Sequence, residues 1–215
     1  MPVEAVTSLL SGTSPLAPRL CRTSLAAVFM LRLGALVVGA RTLWRGEVGD
    51  LACNPSVESC RHACFDAAFP VSPFSLFALQ LAAISSHALA SFWHAGLGKG
   101  SWRPPMRRGR QPLLWLPVGS LLCKAVLEGV FLVTFHALYG HFPALVRCPP
   151  SPCPPAVTCA IRKAWEKDAF NHFMASSSWA CLVLSLLGAQ HAAARILREA
   201  PARTWPKGAG RRPCV

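Results

Sequence analysis

The sequence predicts an all-α membrane protein: a bundle of four transmembrane helices with two disulfide-stapled extracellular loops. Three observations predict it. Over 215 residues the composition is 53% hydrophobic and only 14% charged, where a soluble domain carries about 25% charged residues. Four apolar stretches approach the roughly 20 residues that cover a bilayer's hydrocarbon core. Two cysteine triplets, "CNPSVESCRHAC" at 53–64 and "CPPSPCPPAVTC" at 148–159, follow the first and the third of those stretches.

Segment 1–22 has Glu4 near its front, no basic start, and Pro15 and Pro18 where a signal peptide's apolar core would lie. The first span is therefore expected to act as its own insertion signal. That span is placed at 23–40, "TSLAAVFMLRLGALVVGA". The second is placed at 73–94, around "FSLFALQLAAISSHALASFW", and the third at 112–139, around "LLWLPVGSLLCKAVLEGVFLVTF". The fourth is placed at 169–192, around "AFNHFMASSSWACLVLSLLGAQ". Loops 41–72, 95–111 and 140–168 connect them, and 193–215 is a short basic tail. The alternative, four buried helices of a soluble bundle, is disfavoured by run length and low charge.

Net charge is +13. A nucleic-acid binder gathers its bases on one soluble face beside a reading motif. Here the bases sit between apolar runs, so no nucleic-acid partner is expected. Segments 1–22, 95–111 and 193–215 hold thirteen bases and two acids, whereas 41–72 and 140–168 hold seven bases and six acids. The positive-inside rule then places both termini in the cytoplasm at the plasma membrane, with the basic runs beside anionic membrane lipids. Both triplets fall on the other, oxidising side.

Six loop cysteines allow fifteen pairings, among which spacing does not choose. Bridges between the loops would staple two excursions that have little core of their own. Cys21, Cys123, Cys181 and Cys214 fall on the inner side or in spans and are expected to be thiol-reactive; Cys214, in a basic tail, suits palmitoylation. A zinc reading, with His62 and His141 near the triplets, is disfavoured because structural zinc prefers C-x2-C pairs in a reducing compartment. No phosphate-binding Gly-rich loop, H-E-x-x-H or G-x-S-x-G is present, so no enzymatic activity is expected.

The triplets, C-x6-C-x3-C followed by "FD…FPVS" and C-x4-C-x5-C followed by "EK", resemble those of the connexins, the subunits of gap-junction channels. "MLR" in the first span, "LW…E" at 43–47, "ALQL" at 78–81 and "FHALYG" closing the third span are similar too, and the short inner loop and tail look most like the β-type subgroup. The resemblance covers nearly the whole chain. It implies antiparallel inter-loop bridges, Cys53–Cys159, Cys60–Cys153 and Cys64–Cys148. It also implies a hexamer of this chain, alone or mixed with other connexins, whose amino-terminal segment enters the pore mouth. Docking onto an opposing hemichannel through the two loops is implied as well.

Polar residues in the spans are the remaining candidates. Arg32 is expected either to line the pore or to pack between helices, with Glu128 as a partner. Lys124 and Glu128 are i,i+4 neighbours and read most simply as a local ion pair facing a neighbouring helix. Arg41 and Arg45 follow at the pore mouth. His87 stands where the resemblance expects a helix-kinking proline. No cofactor is expected, apart from the regulatory calcium that the resemblance implies near Glu47 and Asp50. Arg45 would repel that cation, so the residues themselves favour a solvated or salt-bridged Glu47.

The docking positions depart most from the family. Asn54 is kept, but Pro55, Ser56, Val57, Glu58 and Ser59 replace T-x-Q-P-G, and Pro155, Ala156 and Thr158 replace a polar residue, threonine and aspartate. Pro2 and Val3 replace an acid and a tryptophan at the pore mouth. A weakly docking channel subunit is therefore expected. The second reading is a non-conducting protein on the same frame, acting in adhesion or as an assembly modulator of other connexins.

Overall fold

The computed structural model describes residues 18–54, 58–100, 110–139, 143–150, 153 and 157–199, with Val6, Thr7, Leu10, Ser11 and Thr13, and backbone alone at 47–48, 58, 94–100, 110–114 and 199. Four long helices dominate: α1 (Arg19–Thr42), α3 (Pro73–Gly100), α4 (Arg110–Leu138) and α5 (Ala164–Glu199). Each contains a stretch long and apolar enough to cross a membrane.

Local chemistry sets their ends. α1 starts after Pro18 and stops where Leu43 and Trp44 both donate backbone N–H groups to the Gly39 carbonyl. The chain then turns through Gly46 at φ +89, a conformation open to glycine because it has no Cβ. α3 opens on Pro73, in the first turn, where a helix N–H has no intrahelical acceptor to lose. α4 carries Pro117 inside its run, where the Ser120 hydroxyl donates to the Pro117 carbonyl at 3.1 Å. α5 follows Lys163, held at φ 57.

The helices outrun their apolar stretches. α5 has 36 residues, about 54 Å at 1.5 Å per residue, against a hydrocarbon core of about 30 Å. α3 continues to Gly100 and α4 begins at Arg110, so the described ends of segment 95–111 are helical. α3 also runs unbroken through His87.

The loops add structure that the all-helical expectation did not contain. After a 3-10 turn at Glu47–Asp50 come β1 (Leu51–Asn54) and α2 (Glu58–Ala68); β2 (Leu145–Arg147) and β3 (Thr158–Ile161) lie between α4 and α5. The strands form an antiparallel sheet of order β1-β3-β2, with Cys53 opposite Cys159 and Val146 opposite Cys159 on the other side. Strands this short are marginal alone; here covalent bridges hold them.

Among the described residues two apolar clusters make the core. The loop-end cluster joins Phe77, Phe131, Phe135 and Tyr139 to the bridged cysteines, with Phe77 and Phe135 ring centroids 5.5 Å apart. The terminal-end cluster is built on Leu25, Val118, Leu121, Cys181, Ala189 and Ala192. α1 and α5 approach closely at Gly39, where an added Cβ would lie 2.8 Å from the Phe170 ring. Small residues at such contacts let helix backbones meet in the absence of a hydrophobic drive.

Candidate functional site

α2 turns Cys60 and Cys64 onto one helical face, since residues four apart are neighbours, while β1 and β3 carry Cys53 and Cys159. The structure bridges Cys53 to Cys159, Cys60 to Cys153 and Cys64 to Cys148, with Cα–Cα distances of 4.1, 4.9 and 4.7 Å. Cys60, Cys64 and Cys159 are wholly buried. Two cysteine groupings, Cys53, Cys148 and Cys159, and Cys60, Cys148 and Cys153, have sulfurs within 4.8 Å of one another. These sulfurs are in disulfides, and only a thiolate ligates zinc.

Cleaving the chain between the loops should leave two fragments that migrate together without reductant and separate with it; separation in both conditions would reject the inter-loop bridges. The remaining thiols differ more than the sequence suggested. Cys123 is exposed, Cys21 is half-buried and Cys181 is buried, so Cys181 should resist alkylation in the folded protein. Cys214 lies outside the described residues.

The start of α5 grips the segment that follows α1. Lys167 Nζ donates to Asp50 Oδ2 at 2.7 Å and lies 5.2 Å from the Trp44 ring centroid. Lys163 Nζ donates to the Thr42 carbonyl at 3.3 Å, and the Arg162 N–H to the Asp50 carbonyl at 2.9 Å. A cation at a helix C-terminus is favourable because the carbonyls there are unpaired. Asp50 is thus held by an ammonium, and the side chain of Glu47 lies outside the described residues. Arg41 and Arg45 are exposed at this end.

Midway along the bundle, every long helix contributes one polar side chain to a single network. Arg32 of α1 donates through Nη1 to Glu128 Oε1 of α4 at 2.9 Å, and through Nη2 to Ser178 Oγ of α5 at 3.0 Å and to Gln80 Oε1 of α3. Gln80 Nε2 donates to Glu128 Oε2 at 2.6 Å. Arg32 is 1% exposed and Glu128 0%. A charge in a dry interior must be paired and hydrogen-bonded, and both carboxylate oxygens of Glu128 are engaged.

The local Lys124–Glu128 pair read from the sequence is therefore corrected. Glu128 pairs with Arg32, the other partner the sequence offered, and Lys124 Nζ donates to the Ser11 carbonyl. Two physical reasons apply. A lysine four residues before a glutamate is the weaker of the two i,i+4 orders. Arg32 presents its N–H donors in a fixed fork, and its two terminal nitrogens reach three partners. Arg32 packs between helices and adds no exposed charge to the bundle.

Gln80 and Ser178 escaped notice as network members; their signal was a polar side chain inside an apolar run. Trp44 and Lys167 belong likewise to the loop-end grip. The described docking positions, Asn54 and Thr158, are exposed and stand opposite each other across β1 and β3. Pro55, Ser56, Val57, Pro155 and Ala156 lie outside the described residues. His87 is half-buried, with Nδ1 making no hydrogen bond among the described residues.

Comparison with known families gives a match to the connexin family model over residues 3–99 and again over 98–194. The two stretches adjoin within the basic segment and take in α1, α3, α4, most of α5 and both cysteine triplets. A four-helix bundle stapled at its loop end and matched across both halves belongs to the connexin family.

Proposed function

We propose that the chain is the subunit of a hexameric hemichannel that passes ions and small solutes and docks only weakly across the intercellular gap. The observation that carries this reading is the connexin match over both halves of a bundle whose first helix is left largely uncovered. Leu20, Met30, Leu31, Val37 and Val38 of α1 are exposed, a surface that needs lipid or neighbouring subunits around it. In the proposed ring the basic segments lie in the cytoplasm and the bridged loops face outward. Calcium regulation near Glu47 is expected to be weak, because Asp50 is already claimed by Lys167.

Electron microscopy of the purified protein tests assembly, and dye uptake in low calcium by cells expressing only this chain tests passage. Six-fold rings with dye uptake support the reading. Surface rings that exclude dye would favour the non-conducting frame, a modulator of other connexins, which Pro2 and Val3 at the pore mouth motivate.

The exposed arginines give a further expectation. With Arg32 neutralised inside the bundle, Arg41 and Arg45 supply the positive potential at the loop end of α1, and a positive ring favours anions. Reversal potentials in a salt gradient should show anion preference, and Arg41→Gln with Arg45→Gln should move it toward cations. Cation preference in the parent would remove both arginines from the permeation path.

A further inference from the structure

We propose that Lys124 is a positioning residue that latches the amino-terminal segment to the bundle through the Ser11 carbonyl. Lys124 sits on α4 at 1% exposure. The nearest carboxylate along its helix, Glu128, has one oxygen bonded to Arg32 and the other to Gln80. Lys124 forms no ion pair with it. Among the described residues its hydrogen-bond acceptor is the backbone carbonyl of Ser11, contributed from 113 residues earlier in the chain.

Ser11 and Thr13 are seated in the bundle at this point. Ser11 is 0% exposed and Thr13 2%, and their hydroxyls lie 2.7 Å apart in a hydrogen bond. A helical lysine leans toward the N-terminus of its helix, so Lys124 reaches back along α4 toward the end where the chain begins. The acceptor is a main-chain carbonyl, so the bond fixes where the segment lies without reading a side chain.

The contact has two self-consistent states. A buried ammonium must be hydrogen-bonded. With the segment seated, the Ser11 carbonyl meets that need; with the segment withdrawn, water must reach Lys124 in its place. Loss of the donor therefore frees the segment, and displacement of the segment frees the amine. On the channel reading above, Lys124 then helps to set where the amino-terminal segment stands in the passage.

Both directions can be measured without recording current. In the full chain carrying Thr13→Cys, a water-soluble maleimide is applied and modification at position 13 is read by peptide mass spectrometry, which separates it from Cys21 and Cys123. Only protein whose loop fragments stay bridged without reductant is scored, so unfolded material does not count. Lys124→Met should raise the labelling rate about ten-fold or more, the opening that a hydrogen bond from a charged donor holds shut. Lys124→Arg, which keeps a charged donor, should label close to the parent. Labelling unchanged in Lys124→Met, or as fast in Lys124→Arg as in Lys124→Met, overturns the latch.

The reverse test leaves the bundle intact. Ser11→Trp cannot fit the closed site, so an amine-acylating reagent should modify Lys124 in that variant and spare it in the parent. If Lys124→Met does not fold, this arm decides alone, and an unreactive Lys124 in Ser11→Trp rejects the proposal. A chain that labels as expected but takes up no dye keeps the latch and loses the channel reading. A chain that conducts while its labelling ignores Lys124 does the reverse.

Discussion

Two cells that each make only this chain should show almost no junctional conductance, even where six-fold rings reach the surface. On the proposed channel reading, docking across a gap would rest on hydrogen bonds from two loop tips, repeated around the ring. Proline lacks a backbone N–H and alanine has no side-chain donor or acceptor, and Pro155 and Ala156 stand beside Thr158 in the second loop. Each lost bond forfeits about 0.5–1.5 kcal/mol net. Two or three per subunit, taken six times, removes on the order of ten kcal/mol from the docked pair. Assembly within one membrane should survive, because it draws on helix packing and on loops whose bridges are intact. The triple variant Pro155→Asn, Ala156→Thr and Thr158→Asp should raise coupling in dual-cell recordings. Strong coupling by the parent chain would overturn the expectation and assign the contact to other loop residues.

The largest effect within one subunit should come from separating Arg32 and Glu128. Removing one partner of a buried ion pair leaves the other charge uncompensated, at a cost of about 3–5 kcal/mol. Gln80 and Ser178 bond to the same centre and would lose partners as well. Arg32→Met or Glu128→Met should each lower the Tm in detergent by about 10 °C, taking about 2–4 °C per kcal/mol for a chain of this size. The double variant should recover most of that loss, since replacing a whole buried pair by apolar side chains is often neutral. Single variants within two or three degrees of the parent, or a double as poor as the worse single, would show that the pair is not what holds the middle of the bundle.

The parts of this fold that can be read from the sequence are those whose signals are local. Each spanning helix is announced by its own apolar run, and the triplets "CNPSVESCRHAC" and "CPPSPCPPAVTC" by their spacing. The sheet is not local: β1 and β3 are four residues each, and Cys53 and Cys159 are separated by 106 positions, so no window contains both. α2 had a usable clue in Cys60 and Cys64, whose four-residue interval is one helical turn. The carboxyl-terminal end of α3 and both ends of α5 lie beyond the apolar runs, because polarity marks where lipid stops, not where helical hydrogen bonding stops. Lys124 and Glu128 show the same limit within the site. Their helical spacing was legible, and so was Arg32 as a partner for Glu128 across 96 residues, but nothing in the sequence pointed Lys124 to the Ser11 carbonyl.

The bridges also set a timetable for making the protein. Every cysteine of the first loop finds its partner 84 to 106 residues further along. At about 5–20 residues per second, ribosomal synthesis leaves a gap of roughly 4–20 s between the two loops. Through that interval Cys53, Cys60 and Cys64 lack their native partners, and Cys60 and Cys64 stand a single helical turn apart. Disulfide reshuffling takes seconds to hours depending on oxidant and isomerase. Any Cys60–Cys64 union made in that interval would have to be reversed by thiol–disulfide exchange before the native bridges could close.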